Sequence, residues 1–271
     1  MILTKRALVK TLVEKDTLFM HGKKIIVSGP QEDRVIRAFN NVRFYKSDMS
    51  GKCDSLHSST KNELTQLIGK PVLWNNENQM TGNVMHLIGN NETEKLDSLK
   101  VLNNAFIIQK DSLSKNGFNQ MKGQNLFGKF EENKLKEVDI IKNAESIYYI
   151  YNDKNEFVGI RKSVCSRINL EMNENKIETM TGFNNTESNI YPDNEFPENA
   201  RKLRGFAWRG DERILSKENI FPEEELAIDA KVQIDAQKKA IESDKPMEIQ
   251  KETLEYDEKN PKPKDKTVKK L

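Results

Sequence analysis

The chain reads as an all-β protein built from a repeated β-unit, and three observations point there. Ile68 to Ile88 forms one hairpin: a β-prone run at Val72, Leu73 and Trp74, a polar turn of Asn75, Asn76, Glu77 and Asn78, then a second run carrying Met80-Thr81-Gly82 and Val84 to Ile88. Its parts recur. Met49-Ser50-Gly51, Met121-Lys122-Gly123 and Met180-Thr181-Gly182 repeat the Met-x-Gly opening, and Asn40-Asn41-Val42 is echoed by Asn103-Asn104-Ala105 and Lys142-Asn143-Ala144. The intervals are unequal, so insertions fall in turns rather than in a strict solenoid. Finally, no helical periodicity interrupts Asp16 to Phe183.

Taken in order, Thr4 to Val13 is a strand or a connector, and Leu18 to Met20 and Lys24 to Val27 flank a tight turn at His21-Gly22. Arg34 to Lys46 alternates, which puts Ile36, Ala38, Val42 and Phe44 on one face. Met49 to His57 and Leu64 to Ile68 precede the central hairpin, and Leu96 to Val101 and Ala105 to Gln109 are two strands separated by Asn103-Asn104. Gln124 to Phe130 and Leu135 to Ile141 flank a turn at Glu131-Glu132-Asn133. Ala144 to Tyr151 is the most β-prone run, partnered by Phe157 to Ile160. Val164 to Met172 and Lys176 to Phe183 bracket Asn173-Glu174-Asn175. Residues 184 to 199 are a loop, and Ala200 to Ile214, basic and aromatic, finishes the sheet.

Pro222-Glu223-Glu224-Glu225 opens a helix, with proline in the first turn and acids at the positive end of the dipole. From Ser243 the chain is Lys, Glu, Asp and Pro with little to bury, which predicts disorder. The expected organisation is a β domain over 1–220, a helix over 221–243 and a charged tail over 244–271. The segment beyond Phe221 has too few large apolar residues to anchor a core, so it is expected to be dispensable for the sheet.

Composition narrows the function. Only 36% of the 271 residues are hydrophobic and 32% are charged, with mean hydropathy −0.75. That suits an elongated, shallow core better than a deep one. The net charge of +2 supplies no field for nucleic acid. Cys53 and Cys165 lack metal or redox spacing and are expected either to be unpaired and at least partly buried, the favoured reading, or to be joined to each other.

His21, His57 and His86 show no ligand spacing, and no paired acids, nucleophile–base pattern or phosphate loop occurs. The expectation is a protein without enzymatic activity, metal or cofactor. Gly205 to Gly210 could stack a base, but a strand with a packed Trp explains it better.

Four stretches carry a family resemblance: Asp16 to Gly22 (D-T-L-F-M-H-G), Arg37 to Leu56, Lys70 to Gly82 and Arg201 to Ile214 (R-K-L-R-G-F-A-W-R-G-D-E-R-I). They resemble the OstA-like proteins, relatives of the periplasmic lipopolysaccharide-transport protein LptA, over about Ala7 to Ile214. The resemblance implies a curved open β-jellyroll of stacked V-shaped repeats, with an apolar groove between two sheets that shields acyl chains. It implies no catalytic residues. It also implies a bridge or scaffold that receives and passes lipopolysaccharide or a related lipid in the periplasm, or associated with the outer membrane. Neighbours in that pathway would join by end-to-end pairing of sheet edges.

Family members are exported, whereas Met1 to Asp16 has no signal-peptide core, so the chain is expected to be the C-terminal portion of a longer protein or to start at an internal methionine. The expected groove residues are Ile36, Val42, Phe44, Val72, Trp74, Ala105, Ile107, Leu126, Ile147, Tyr149, Ile168 and Leu170. The alternative is a scaffold that binds protein partners by strand addition without lipid. A carbohydrate-active β-fold would instead need two carboxylates facing each other in a cleft.

Overall fold

The computed structural model describes residues 1–235 apart from 14, 15, 94, 115, 174, 175, 229, 230, 232 and 233. Among these residues the strands are β1 (Ile2–Val13), β2 (Asp16–Ser28), β3 (Val35–Lys46), β4 (Met49–Ser59), β5 (Leu64–Ile68), β6 (Val72–Asn75), β7 (Asn78–Thr81), β8 (Val84–Asn90), β9 (Lys95–Lys110), β10 (Phe118–Glu131), β11 (Lys134–Tyr151), β12 (Phe157–Asn173), β13 (Lys176–Phe183) and β14 (Glu187–Tyr191). They form one sheet in the order β1-β2-β3-β4-β5-β8-β9-β10-β11-β12-β13, with β6 and β7 bridging β4 and β9, and β14 alongside β12. Each pairing is antiparallel, so the sheet grows hairpin by hairpin.

The long strands bend sharply in their middles, and the repeated asparagines are the cause. Asn40 and Asn41 have φ of 62° and 56°, Asn103 and Asn104 60° and 56°, Lys142 and Asn143 64° and 52°. The strand pairing skips at the first and last of these, between Phe39 and Val42 and between Ile141 and Ala144. Two successive left-handed residues turn the chain, yet they occupy two positions, so the inward-facing parity survives. Leu99 and Val101 before the bend and Ala105 and Ile107 after it therefore enter one core. Each long strand contributes two limbs of a V, and the core lies between the limbs. The result is an open, curved β-jellyroll.

Met-x-Gly marks the neighbouring strand at that corner. Met80 and Met121 are buried in the core, and two residues on the chain meets the bend of the next strand. A Cβ on Gly82 would stand 2.3 Å from Val101 Cγ1, and one on Gly123 2.6 Å from Ile140 Cγ2 and 3.1 Å from the Ile141 carbonyl oxygen. Only glycine admits the bend so close. Met20-His21-Gly22 belongs to the same set, with Gly22 against Phe39, Ala38 and Val42.

The central hairpin is the variant unit. Here the corner is a break rather than a bend: β5 and β6 are the two limbs of one arm, interrupted by Gly69, Lys70 and Pro71, and β7 and β8 are the limbs of the other. Gly69 and Lys70 supply the positive φ that Asn pairs supply elsewhere, at 79° and 50°.

Thr4 to Val13, a strand or a connector from its sequence, is part of strand β1. Four expectations change. His21-Gly22 is not a turn, because β2 runs unbroken through it, and Asn103-Asn104 separates no strands but bends β9. The loop over 184–199 contains β14, which completes the sheet along the upper part of β12. Ala200 to Ile214 adds no strand; it forms short 3₁₀ turns outside the sheet. A helix begins at 223 and is described over 223–228, and the expected tail over 244–271 lies outside the described residues. The compact β unit runs from Met1 to Glu225.

Cys53 and Cys165 are free and buried, on β4 and β12 with β5, β8, β9, β10 and β11 between them in the sheet. Burial pushes the Cys53 thiol up to about 12 and also raises Cys165. Both thiols should resist a water-soluble alkylating reagent at pH 8 in the native protein and react within minutes in denaturant, read by intact mass. For the bend, Asn104→Val should lower stability by about 1–2 kcal/mol, since a β-branched residue is disfavoured in the left-handed region, whereas Asn104→Gly should stay near the parent in urea unfolding.

Candidate functional site

One limb of the V is buried on both faces. On β9, Ala105 and Ile107 point into the core between the limbs, while Phe106 and Ile108 point outward into a second apolar cluster with Ile147 and Tyr149 of β11 and Ile160 of β12. Strands covered on both sides need apolar residues at consecutive positions, which is what A-F-I-I at 105–108 supplies. The outer cover is the C-terminal segment from Pro192 to Glu225, laid as a strap across the limb. Its own Phe196 and Leu203 are buried in that cluster, and its Phe206 and Trp208 pack against it.

Two buried glutamines hold the strap by its backbone. Gln120 Nε2 donates to the Arg201 carbonyl (2.7 Å) and its Oε1 accepts from the Leu203 N–H (2.9 Å). Gln79 repeats this, donating to the Ala207 carbonyl (2.8 Å) and accepting from the Arg209 N–H (2.7 Å). A primary amide presents one donor and one acceptor side by side, as a neighbouring strand would, so it engages a strap that has no strand of its own.

Further along, Arg209 grips Glu212 with two nitrogens (2.8 and 2.9 Å) and Lys52 joins it at 2.6 Å. Arg209 and Lys52 hold the Glu212 carboxyl down at about 2. Its contribution to docking is therefore present above the ordinary carboxylate range and lost as pH falls toward 2. The strap ends with Phe221 edge-on to the His21 ring, at 4.9 Å, under the guanidinium of Arg6. Phe221 and Glu225 thus touch the β-body.

The expected groove residues divide between the two faces. Val42, Phe44, Ala105, Ile107, Leu126, Ile168 and Leu170 lie in the core between the limbs, with Ile36 packed against it. Ile147 and Tyr149 face the strap. Val72 and Trp74 alternate with core-facing Leu73, and Trp74 pairs across with Gln79, so they too belong to the strap side. The limbs are closed on each other: Val42, Leu126 and Leu170 have no exposure, and Phe44 has 4%.

Sequence reasoning missed Gln79 and Gln120, which stand among other polar residues and whose shared signal is the position just before a Met-x-Gly motif, Met80 to Gly82 and Met121 to Gly123. It also missed Tyr151, which stands in a cleft of about 800 Å3 between the strap and the strand tips, lined also by Phe118, Tyr149, Phe157, Arg201 and Lys202. The Tyr151 hydroxyl donates to Asp111 at 2.5 Å, and burial together with that bond pushes its pKa above the ordinary tyrosine range, keeping it protonated. Arg201 pairs with Asp193 (2.7 Å) and Glu198 (2.9 Å), so these acids are partnered. Gln66 of β5 lies opposite His57 in the ladder, and its side chain is 3.1 Å from His86 Nε2 on β8. Among the described residues no group of three His, Cys, Asp or Glu could hold a metal ion.

Gln120→Leu should cost about 2–3 kcal/mol, because it strands the Leu203 N–H and the Arg201 carbonyl. Limited trypsin digestion should then cut at Arg201 to Arg209 well before the sheet unfolds.

No protein-family model matches the chain, and no curated protein matches it. Among solved structures it is similar to the crystal structure of LptH from Pseudomonas aeruginosa, the LptA-homologous periplasmic component of the conserved lipopolysaccharide transport device. The identity is 14% and the TM-score 0.40, over 54% of this chain and 99% of that one.

Proposed function

We propose that this chain is a non-enzymatic lipid-binding bridge of a lipopolysaccharide transport pathway, working in the periplasm and shielding acyl chains between the limbs of its V. The observation that carries the reading is the seam. Every strand from β1 to β12 contributes a buried apolar residue to the same core, and β13 packs Ile177 and Met180 against it, so the interior is continuous across the sheet. An apolar strip running perpendicular to the strands is what an acyl chain would follow. The stretches that resemble the OstA-like proteins support the same reading.

The closed seam sets a condition on mechanism. An acyl chain can enter only if the limbs part, so lipid replaces contacts that the limbs otherwise make with each other. Opening at the bends leaves the ladder of each limb intact. The strap, gripping one limb from outside through Gln79 and Gln120, keeps that limb ordered while the other moves.

Binding of protein partners by strand addition without lipid draws support from β14, an edge strand with Ile190 57% exposed. Native mass spectrometry of protein purified from a host with an outer membrane separates the two. The bridge predicts co-purified lipid that Ile107→Trp, filling the seam at a cost of about 1–3 kcal/mol, displaces. Lipid-free parent protein would leave the strand-addition scaffold as the better account. Retention of lipid by folded Ile107→Trp would move the lipid site away from the seam.

A further inference from the structure

Toward the last strands the inner face of the strap-covered limb turns polar. Two contacts with Met180 of β13 fix that face: Ser146 Oγ of β11 donates to the methionine sulfur at 3.9 Å, and Arg161 Nη2 of β12 donates to it at 3.0 Å. Their neighbours Ile147 and Ile160 face the strap instead. The ladder sets the inner residues in two rows. Tyr148, Arg161 and Ile190 lie opposite one another in one, and Ser146, Ser163 and Ser188 in the next. Ser146 has no exposure, Arg161 is half-buried and Ile190 on the edge strand is 57% exposed, so the rows run from the interior to the open end of the sheet.

Arg161 is a cation without a counter-charge. Arg167, Arg201 and Arg209 are each paired with a carboxylate. Among the described residues no carboxylate pairs with Arg161, and its Nε is buried with no hydrogen-bond partner. A thioether is a weak acceptor, yet this one receives two donors converging from two strands. A half-buried guanidinium so poorly matched favours any oxyanion that reaches it. The Ser163 hydroxyl, 2.9 Å from that of Ser188, adds a further donor in the row beside it. Asp111 acts on Tyr148 together with Arg161, but it stands nearer the strand tips, on the far side of Tyr148 from the serine row, and accepts from the Tyr151 hydroxyl and the Ser114 N–H.

We propose that Arg161, Ser146 and Ser163 form a phosphate-binding site at the end of the seam, in which a phosphate oxygen takes the place of the Met180 sulfur between its two donors. A guanidinium binds two phosphate oxygens in parallel, which leaves the others for the hydroxyls. The methionine side chain is unbranched and flexible, so it can withdraw without moving the strands. The ligand class is a phosphate monoester, either free or as the headgroup of a lipid. The second source rests on the lipid-binding reading above: a lipid whose acyl chain lay between the limbs would present its headgroup where the seam meets the last strands.

Isothermal titration of the full chain at neutral pH and fixed chloride concentration tests this, with inorganic phosphate and with decyl phosphate below its micellar concentration as probes. The parent should bind phosphate at one site. Arg161→Met replaces an unpaired charge by an apolar chain, so urea unfolding should show an intact fold, while affinity for either probe falls at least about tenfold. Arg161→Lys keeps the charge without the fork and should fall between the two. Decyl phosphate bound at least about tenfold more tightly than inorganic phosphate identifies a lipid headgroup as the source. Equal affinities leave the phosphate site standing and count against the acyl-chain reading alone. A parent that binds neither probe overturns the site, as does a folded Arg161→Met protein that binds them as the parent does. Should Arg161→Met fail to fold, Arg161→Lys with the parent's affinity overturns it equally.

Discussion

The paired left-handed residues in the middle of the long strands are the constraint on which the rest of this structure depends. A single extra residue at a strand bend would exchange the two faces and send every subsequent core side chain to solvent. Two residues turn the chain and restore parity. Ile36, Ala38, Val42 and Phe44 can therefore serve one core across a corner, as can Leu99, Val101, Ala105 and Ile107. Asparagine tolerates the left-handed region better than most residues. Lys5 and Lys142 occupy it as well, at 64° each, so the position demands the conformation more strictly than the residue.

A bend in one strand requires room in the next. Gly82 and Gly123 provide it, and the methionine two residues earlier fills the core where the limbs converge. An unbranched, flexible side chain suits a wedge-shaped space that differs from repeat to repeat. The Met-x-Gly and Asn-Asn motifs are thus two halves of one corner, carried on neighbouring strands. Their unequal spacing along the chain costs nothing, because the strand tips absorb the difference.

The strap makes the molecule asymmetric. It converts one limb into the middle of a three-layer arrangement and leaves the other with a single buried face. A chain only 36% hydrophobic can do this because the strap is held largely by polar contacts to its backbone, from Gln79 and Gln120, and by ion pairs around Glu212.

The amino-acid sequence by itself determined the class of fold, the hairpins and their turns. Alternation over five or more residues and turns such as Glu131-Glu132-Asn133 are local properties that neighbouring residues settle. It did not separate a corner from a turn at Asn103-Asn104, because a left-handed pair has the same signature whether the chain reverses or bends, and it did not show that β2 runs on through His21-Gly22. Nor did it place Ala200 to Ile214, whose alternating aromatic and basic residues fit a strand as well as a strap. Tertiary structure alone decided which face Trp74 and Tyr149 occupy. Where both faces of a strand are covered, hydrophobicity no longer distinguishes inside from outside, and only the position of the strap breaks the tie.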